Sequence, residues 1–458
     1  MTDTNPDNKE IATSEQAPEF DLLTSNPVYK PFRYPWAYDA WLTQQRLHWL
    51  PEEVPLADDV KDWHRVLNNN EKNLVTQIFR FFTQADCYPH GTSILTPSGW
   101  KTFETLTDTD KVAQVYPDGK IEFVLPTAKI CKPFKGNLLR FKAERKAVDF
   151  TVTPSHGVYY EYKGKWIRER ADDVKLFQNK RLRVAGYALG EKTYLTPFER
   201  LAIAFQADGN TKKDCDGSRI GGIKHYFGFS KLRKINRMRQ ILIDAQIEYE
   251  ETQEERPNGV YTLFSVLLNE RLDKNFDWVN LDTISSSWAK DFIEEVGEWD
   301  SHRDAWGWIQ YSNTNKLASE KVQAVSLLCG RDATKRTYND SRNDNFSDIY
   351  KVSIGNKDML DGQHVVKSEV YYEGNVYCVT VPTGAILVCQ NGKPIVSGNC
   401  EVNNCYMKHY SRIFKPTEVL MMLSAFSNIE TVHIAAYSHL LDTLGLPEIE
   451  YSAFLKYK

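Results

Sequence analysis

The chain has 458 residues, which at roughly 150 residues per domain indicates about three domains. Hydrophobic residues make up 41% and aromatic residues 12% of it, so packed cores are expected and a chain disordered throughout is excluded. The 57 basic and 61 acidic residues nearly balance. This balance argues against nucleic-acid binding along the whole chain but permits a local basic face.

The expected compartment follows from the apolar residues and the cysteines. No run of about 18 apolar residues occurs, and residues 1–20 are polar, so we expect neither a membrane span nor a secretory signal. The eight cysteines are scattered along the chain without the spacing of metal-binding fingers. Scattered cysteines in a long chain indicate free thiols in a reducing compartment and not a disulfide framework. We therefore expect a soluble cytoplasmic protein that has no membrane partner.

The predicted secondary structure changes class twice along the chain. Apolar residues at spacings of three and four over residues 74–85 predict a helix with one buried face. After Asp86 this periodicity stops, and short strand-like segments follow, with Lys163 and Gly164 at a predicted hairpin turn. Helical character returns near Thr196, strands resume near Ile349, and helices resume at Cys400.

The two breaks bracket residues 87–399. If this segment is removed, Val402, Cys405 and Tyr406 lie three, six and seven positions beyond Asp86 and continue the apolar stripe of the preceding helix. Two unrelated helices that share this phase by chance are the alternative, and phase alone does not exclude them. The chemistry of the boundary residues bears on the choice.

The boundary residues carry the groups that an exchange of peptide bonds needs. The Cys87 thiol can attack the Asp86 carbonyl and form a thioester, and the Cys400 thiol can then accept the acyl chain. Asn399 can cyclise onto its own carbonyl and release the segment, after which an S-to-N acyl shift leaves an Asp86–Cys400 peptide bond. Either cysteine alone is more often a small buried apolar residue. The two together, bracketing an abrupt change of structural class, favour splicing.

This segment resembles an intein. The resemblance lies in Cys87, in the internal Thr153-Pro154-Ser155-His156, in NVYCVTVPTG from Asn375, and in Ser-Gly-Asn before Cys400. It implies an all-β horseshoe of the Hint type that splices without a cofactor. In that fold His156 protonates the departing amide nitrogen at the first junction and Thr153 holds the strained bond.

Three residues bear on how fast or cleanly such an intein splices. Gly398 stands where inteins usually have histidine, and Cys378 where they often have aspartate. The carboxylate of Asp86 can attack the thioester and divert it to cleavage.

A second motif lies inside the segment. LAIAFQADG, which ends at Gly209, resembles the LAGLIDADG motif of homing endonucleases, and FIEEVGEWDS from Phe292 is a degenerate second copy. The resemblance implies an α/β domain in which Asp208 and Asp300 share a divalent ion, Mg²⁺, that activates water against double-stranded DNA. Glu294 and Glu295 stand where small residues are usual. Basic residues that can neutralise phosphates, or else form solvated faces, are Lys224, Lys231, Arg233, Lys234, Arg237, Arg239, Arg331, Lys335 and Arg336.

The flanks resemble the small subunit of class I ribonucleotide reductase. Glu430, His433 and Tyr437 in FSNIETVHIAAYSHLL share one helix face, and FFTQAD, KPTEV and HWLPEEV add to the likeness. It implies an all-α ferritin-like host in which Asp86, Glu430 and His433 bind one metal of a di-iron or iron–manganese centre. Tyr437 would then hold a stable radical, and Trp49 would lie on the electron path.

The same likeness implies partners. These are a large catalytic subunit, a second copy of the small subunit, and the rest of the small subunit, because the second ligand set does not occur in this chain.

The sequence therefore predicts a three-part mosaic. It is the precursor of a ribonucleoside-diphosphate reductase small subunit, interrupted by a self-splicing intein that carries a DNA endonuclease. Two alternatives stay open: a reductase fragment with an inert, splicing-defective insert, or a stand-alone DNA-cleaving protein. The predicted parts are residues 1–86 and 400–458 (host), 87–194 and 351–399 (splicing domain), and 195–350 (endonuclease).

Overall fold

The computed structural model describes residues 22–25, 32–47, 49–50, 53–69, 71–72, 87–143, 147–211, 222–257, 259–339, 347–399 and 413–444. The chain divides into one unit of residues 1–55 and 402–439 and a second of residues 56–401 and 440–458. Strands predominate over helices in the described part. Its helices are α1 (Pro35–Arg46), α2 (Ala57–Arg65), α3 (Pro197–Asp208), α4 (Leu232–Asp244), α5 (Ser286–Gly297), α6 (Lys316–Leu327) and α7 (Thr417–Thr443).

The first unit is built from both flanks of the chain. Ala37 of α1 packs against Val419 and Leu423 of α7 in a small apolar cluster. The buried Glu418 carboxylate accepts hydrogen bonds from the backbone N–H groups of Arg33 and Tyr34, at 2.8 and 2.9 Å. A carboxylate at this place satisfies amide donors at the start of α1 and complements the positive end of its dipole. None of the described helices combines the length and the apolar character needed to cross a bilayer.

Within the second unit, the strands that follow residue 87 pair with strands that lie shortly before residue 399. These strands are β1 (Tyr88–Pro89), β2 (Ser93–Thr96), β3 (Gly99–Thr102), β4 (Val112–Val115), β5 (Lys120–Val124), β6 (Ala128–Lys142), β7 (Asp149–Val152), β8 (Gly157–Tyr162), β9 (Lys165–Arg170), β10 (Arg181–Arg183) and β11 (Tyr187–Ala188). Those before residue 399 are β20 (Met359–Asp361), β21 (Val366–Thr380), β22 (Ala385–Gln390) and β23 (Lys393–Gly398).

Three sheets combine the early and late strands. Their orders are β1-β21-β6-β7, β20-β10-β8-β9 and β11-β5-β4-β22-β2-β3, with β23 paired to β22. In the first sheet β6 and β21 pair over their full lengths, and Tyr88 of β1 lies opposite Tyr377 of β21. The pairing brings the chain near residue 88 close to the chain near residue 398.

The predicted hairpin turn is confirmed. Strands β8 and β9 pair antiparallel, and the loop between them consists of Lys163 and Gly164. Both residues have positive φ, 51° and 73°. This is the conformation that a two-residue turn matched to the strand twist requires.

Between β11 and β20 the chain forms two repeats with one topology. Each repeat runs helix, two strands, helix, two strands: α3-β12-β13-α4-β14-β15 and then α5-β16-β17-α6-β18-β19, and the two sheets have the equivalent orders β12-β13-β15-β14 and β16-β17-β19-β18. The strands are β12 (Gly209–Thr211), β13 (Ile223–Phe229), β14 (Tyr249–Arg256), β15 (Gly259–Leu268), β16 (Ser301–Arg303), β17 (Ile309–Asn313), β18 (Ala333–Tyr338) and β19 (Ile349–Ile354).

The first helix of each repeat is capped at its N-terminus. Thr196 and Glu199 form a reciprocal capping box at α3, with Pro197 at the first helical position. Ser285 caps α5 through the N–H of Trp288. Helices α3 and α5 contact each other. Helix α3 ends at Asp208, and α5 ends three residues before Asp300, so both predicted catalytic carboxylates lie at helix C-terminal ends. The predicted helix start near Thr196 and strand start near Ile349 are confirmed.

Candidate functional site

The start of the bracketed segment is held by a pair of reciprocal hydrogen bonds. The Cys87 N–H donates to Thr153 Oγ1 and the Thr153 N–H donates to the Cys87 carbonyl, both at 3.0 Å. Both residues are buried. The His156 N–H in turn donates to the Thr153 carbonyl at 3.0 Å, which closes a tight turn. The Thr-x-x-His spacing therefore connects the His156 backbone, through Thr153, to the Cys87 backbone.

His156 is fully buried in this cluster. Its Nε2 lies 2.9 Å from Ser397 Oγ, and the Tyr88 ring stands edge-on to it with centroids 4.6 Å apart. Burial, assisted by the Arg168 guanidinium, lowers the pKa of His156 to about 3. The imidazole is neutral at physiological pH, and its Nδ1 has no hydrogen-bond partner within the described chain.

Asn399 lies at the other end of the segment and is also fully buried. Its backbone N–H donates to the Gly384 carbonyl at 3.1 Å, and its Nδ2 donates to the Val381 carbonyl at 3.0 Å. Its Oδ1 finds no partner among the residues that the structure describes. The preceding Gly398 carbonyl accepts a hydrogen bond of 2.6 Å from the Tyr88 hydroxyl.

The cluster includes two residues that the sequence analysis missed. Tyr88 and Ser397 are fully buried and connect the start of the segment to its end. The Tyr88 contact joins residues 310 positions apart, and the Ser397 contact joins residues 241 apart. Spacing along the chain gives no signal for such contacts, because they depend on the register of β1 and β23. Their position beside the predicted boundary residues was the only available hint.

The two predicted endonuclease carboxylates lie near each other and share a lysine. Asp208 is the last residue of α3, and Asp300 follows the end of α5. Lys234 Nζ contacts Asp208 Oδ2 and lies 3.7 Å from Asp300 Oδ1. Burial raises the pKa of Asp300, and the neighbouring Asp208 carboxylate raises it further. Lys234 and Lys274 lower this pKa but offset only part of the increase.

A cleft of about 650 Å³ opens beside Asp300. Lys274 lines this cleft, and its Nζ donates to the carbonyls of Phe205 and Gln206 at 2.6 and 3.1 Å, near the C-terminal end of α3. Burial lowers the pKa of Lys274, although Asp300 and Asp208 oppose the change. Two carboxylates and two ammonium groups therefore lie around one end of the paired helices α3 and α5.

Most of the basic residues predicted to contact phosphates are paired with carboxylates of the chain itself. Arg237 and Arg239 of α4 pair with Glu295 and Glu251. The others that form ion pairs are Lys224 with Glu250, Arg233 with Glu298, Lys234 with Asp208, Arg331 with Glu294, and Lys335 with Glu320. Their charge is in large part neutralised within the fold, so it contributes less to a field that attracts DNA.

Five of the predicted site residues lie, wholly or in their side chains, outside the described residues. Asp86 and Cys400 lie outside the described residues. Glu430, His433 and Tyr437 are positions of α7, but their side chains are not among those described. Among the side chains that are described, no group of three or more histidine, cysteine, aspartate or glutamate residues is placed to hold a metal ion. The predicted metal ligands and the radical tyrosine therefore stay predictions.

Comparison with known proteins finds a similarity in the N-terminal part of the chain. The family model for the small chain of ribonucleotide reductase matches residues 26–94. This part of the chain is similar to a reductase small chain. The small chain of Acanthamoeba polyphaga mimivirus is 32% identical over 69 residues, which are 15% of this chain and 16% of that one.

A longer match exists to one relative. The ribonucleoside-diphosphate reductase subunit beta of Aquifex aeolicus (strain VF5) is 30% identical over 430 residues, which cover 84% of this chain and 61% of the relative. The chain thus spans less than two thirds of the length of either relative.

Two solved structures show weaker likenesses. A splice-inactive variant of the AceL NrdHF class 3 split intein matches with a TM-score of 0.29 and 10% identity, over 68% of this chain and 97% of that one. The crystal structure of I-DmoI in complex with DNA and Mn matches with a TM-score of 0.24 and 11% identity, over 34% of this chain and 87% of that one.

Proposed function

We propose that residues 87–399 are an intein that excises itself and joins Asp86 to Cys400. One observation carries the proposal: both ends of the segment meet in a single buried cluster around one histidine. Thr153 links Cys87 to His156, and Ser397 links His156 to β23, the strand that ends just before Asn399. Buried polar atoms in a structural core are normally hydrogen-bonded. The unpaired Nδ1 of His156 and Oδ1 of Asn399, buried where the two ends of the segment meet, therefore favour a chemical role over a packing role.

The first step is attack of the Cys87 sulfur on the Asp86 carbonyl carbon. A carbon–sulfur bond forms and the bond from that carbon to the Cys87 nitrogen breaks, while the thiol proton ends on the departing nitrogen. His156 is the proposed proton donor to the departing nitrogen; because burial lowers its pKa to about 3, the imidazole is neutral at rest and must take up a proton during the reaction, at a cost in free energy. Thr153 Oγ1 accepts a hydrogen bond from the amide that breaks and orients it.

The later steps release the segment. The Cys400 thiolate takes over the acyl group, and Asn399 Nδ2 then attacks the Asn399 carbonyl carbon and breaks the bond to Cys400. The contact of Nδ2 with the Val381 carbonyl keeps the carboxamide buried at the junction before it reacts. An S-to-N shift then leaves a peptide bond between Asp86 and Cys400.

Expression of the whole chain followed by mass spectrometry under denaturing conditions tests the splicing proposal. Splicing predicts two products, a ligated chain that lacks residues 87–399 and the free segment. A tryptic peptide that spans Asp86 and Cys400 identifies the new bond. The Asn399→Ala variant should accumulate thioester-derived cleavage at Cys87 without release at residue 399. A single intact species of 52.9 kDa would instead support the inert-insert alternative.

We further propose that the flanks form part of the small subunit of ribonucleoside-diphosphate reductase. The family model that matches residues 26–94 supports this host. The match to the Aquifex subunit covers 84% of the chain, more than both flanks supply, so that relative has sequence similar to part of the segment as well. Both flanks also contribute to one structural unit through α1 and α7.

In the completed host, Asp86, Glu430 and His433 would bind one metal of a di-iron or iron–manganese centre. Glu430 and His433 are three positions apart on α7, the spacing that carboxylate-bound di-metal proteins use. Such a centre supplies one-electron oxidation when it is bound, and Tyr437, one turn beyond His433, would hold the radical. This role requires the remaining part of the small subunit, a second small subunit and a large catalytic subunit.

The repeated α/β region supports a third proposal, a DNA endonuclease. Asp208 and Asp300 come from equivalent ends of the contacting helices α3 and α5, as a shared Mg²⁺ site requires. Lys234 lies between these carboxylates, so an ion fits there only after the lysine side chain moves. A stand-alone DNA-cleaving function is less favoured, because the buried junction cluster would then have no use.

A nicking assay tests the endonuclease proposal. Supercoiled plasmids with randomised inserts, incubated with the protein and Mg²⁺, should yield open circles for a subset of sequences. The Asp208→Ala variant should lose about 100-fold or more in rate, because loss of even an outer-shell partner of a metal ligand costs about 10- to 100-fold. Asp244→Ala, on the exposed end of α4, is the matched control and should nick like the parent. Equal nicking by both variants would exclude Asp208 from the reaction.

A further inference from the structure

The residue before Asn399 is a glycine, and the structure leaves no room there for a side chain. A Cβ built on Gly398 would penetrate the Gly157 carbonyl oxygen and lie 3.1 Å from the Gly157 carbonyl carbon. These are backbone atoms of β8, so they cannot turn aside as the end of a flexible side chain can. A histidine at position 398, which inteins usually have, would therefore require β8 and β23 to separate.

A different group contacts this junction. The Tyr88 hydroxyl donates a hydrogen bond of 2.6 Å to the Gly398 carbonyl, in a fully buried setting. The Tyr88 ring is held in place by Phe103, stacked on it with centroids 5.4 Å apart, and by the edge-on His156 ring. The hydroxyl thus has a fixed position, which is the condition for a positioning role.

The two sides of the Gly398–Asn399 peptide group are both restrained. Tyr88 holds its carbonyl, and the Gly384 carbonyl accepts its N–H at 3.1 Å. The plane of this peptide group limits how the Asn399 backbone turns, and hence how closely Asn399 Nδ2 approaches the carbonyl carbon that it attacks. In that step a carbon–nitrogen bond closes the ring and the bond to Cys400 breaks, while Nδ2 loses one proton and the released nitrogen gains one.

We infer that Tyr88 is the positioning residue for Asn399 cyclisation, and that its hydroxyl takes the place of the histidine that cannot fit at position 398. This inference rests on the proposed splicing function and adds a residue to it. Tyr88 acts through the peptide group of Gly398 and does not touch the reacting atoms in the described geometry. It should therefore influence the C-terminal junction and leave the first junction unaffected.

The test measures release of residues 400–458 from the full chain in a Cys87→Ala background, where only the C-terminal reaction remains. Tyr88→Phe removes the hydroxyl and keeps the ring, and it should slow release about tenfold, as loss of one buried hydrogen bond does. Tyr377→Phe removes a hydroxyl from the residue paired with Tyr88 in β21 and should match the parent rate. Gly398→His should slow release as well, although it restores the usual residue.

A second readout separates positioning from general damage. With Cys87 intact, cleavage at residue 87 induced by an added thiol should proceed at the parent rate in Tyr88→Phe, whereas a misfolded variant would lose both reactions. Release by Tyr88→Phe at the parent rate, or faster release by Gly398→His, overturns the inference while splicing itself stands. A parent chain that releases nothing at Asn399 overturns both this inference and the proposed function.

Discussion

At the scale of single residues, the junction cluster depends on an imidazole kept neutral by burial. Sequence spacing picks out Cys87, Thr153, His156 and Asn399, because each belongs to a short local motif. It gives no information on how deeply His156 is buried or that Ser397 is its partner. Those properties arise from β7, β8 and β23 packing together, which no local pattern encodes. The lowered pKa of His156 has a consequence for stability.

The stability of the splicing domain should fall as the pH drops from 7 to 5. The pKa of His156 is about 3 in the folded chain and 6.5 in the unfolded chain, so below pH 6.5 only the unfolded chain takes up the proton. This proton uptake lowers the unfolding free energy by about 2 kcal/mol between pH 7 and 5, and the loss continues to grow until about pH 3.

Hydrogen exchange of the β22 and β23 amides, in a chain blocked by Cys87→Ala and Asn399→Ala, measures this change. In the His156→Gln variant the loss between pH 7 and 5 should shrink by about 2 kcal/mol. His302→Gln removes an exposed histidine and serves as the control, which should behave like the parent. An undiminished loss in His156→Gln would mean that this imidazole already titrates normally in the folded chain.

At the scale of elements, helix α5 carries two adjacent glutamates, Glu294 and Glu295, that differ in burial. In the sequence, Glu294 and Glu295 both stand where small residues are usual at a helix crossing. Glu295 is in fact buried and accepts hydrogen bonds from Arg200 at 2.6 Å and from Trp299 at 3.0 Å, and it also pairs with Arg237. Burial would raise the pKa of Glu295, but Arg237 and Arg200 outweigh it and the pKa is lowered. Glu294 is partly exposed.

Neutralising these two residues should therefore have unequal effects. Glu295→Gln leaves two arginines without a buried counter-charge and should lower the unfolding free energy of the repeated α/β region by about 3 kcal/mol. Glu294→Gln disrupts the half-exposed pairs with Arg303 and Arg331 and should cost about 1 kcal/mol or less. Urea unfolding followed by hydrogen exchange in α5 measures both. Equal losses would show that the Glu295 pairs are screened by water.

The element level is also where the sequence predicted most. The hairpin at Lys163 and Gly164 and the starts of α3 and β19 follow from turn residues, capping and periodicity, which are local. The second copy of the helix motif was recognised only weakly, because Glu294 and Glu295 obscured it. The common order of the two four-stranded sheets is a long-range property, so it could be seen only in the fold.

At the scale of the whole molecule, the proposed intein would interrupt the proposed host directly after Asp86. The first of the proposed metal ligands is thus separated by residues 87–399 from Glu430 and His433, whereas removal of the segment leaves Asp86 and Glu430 only 31 positions apart. The sequence suggests this arrangement from motif order alone. Asp86 lies outside the described residues.

Splicing should be a precondition for metal binding. The Cys87→Ala precursor, mixed with a polypeptide that supplies the second ligand set, should bind no iron above background, whereas the spliced product under the same conditions should bind it. Iron content after gel filtration and the optical spectrum of the centre measure this. Iron bound by the unspliced precursor would show that residues 87–399 do not hold the ligand helices apart.

The contact between Glu418 and the backbone of Arg33 and Tyr34 has a consequence for a chain that is cleaved at residue 87 but not ligated. Because this contact and the packing of Ala37 hold the flanks together without any peptide bond between them, a chain severed at residue 87 need not fall apart. The two fragments would co-elute in gel filtration under native conditions. The host would then tolerate a failed ligation as a nicked complex whose two fragments remain in register.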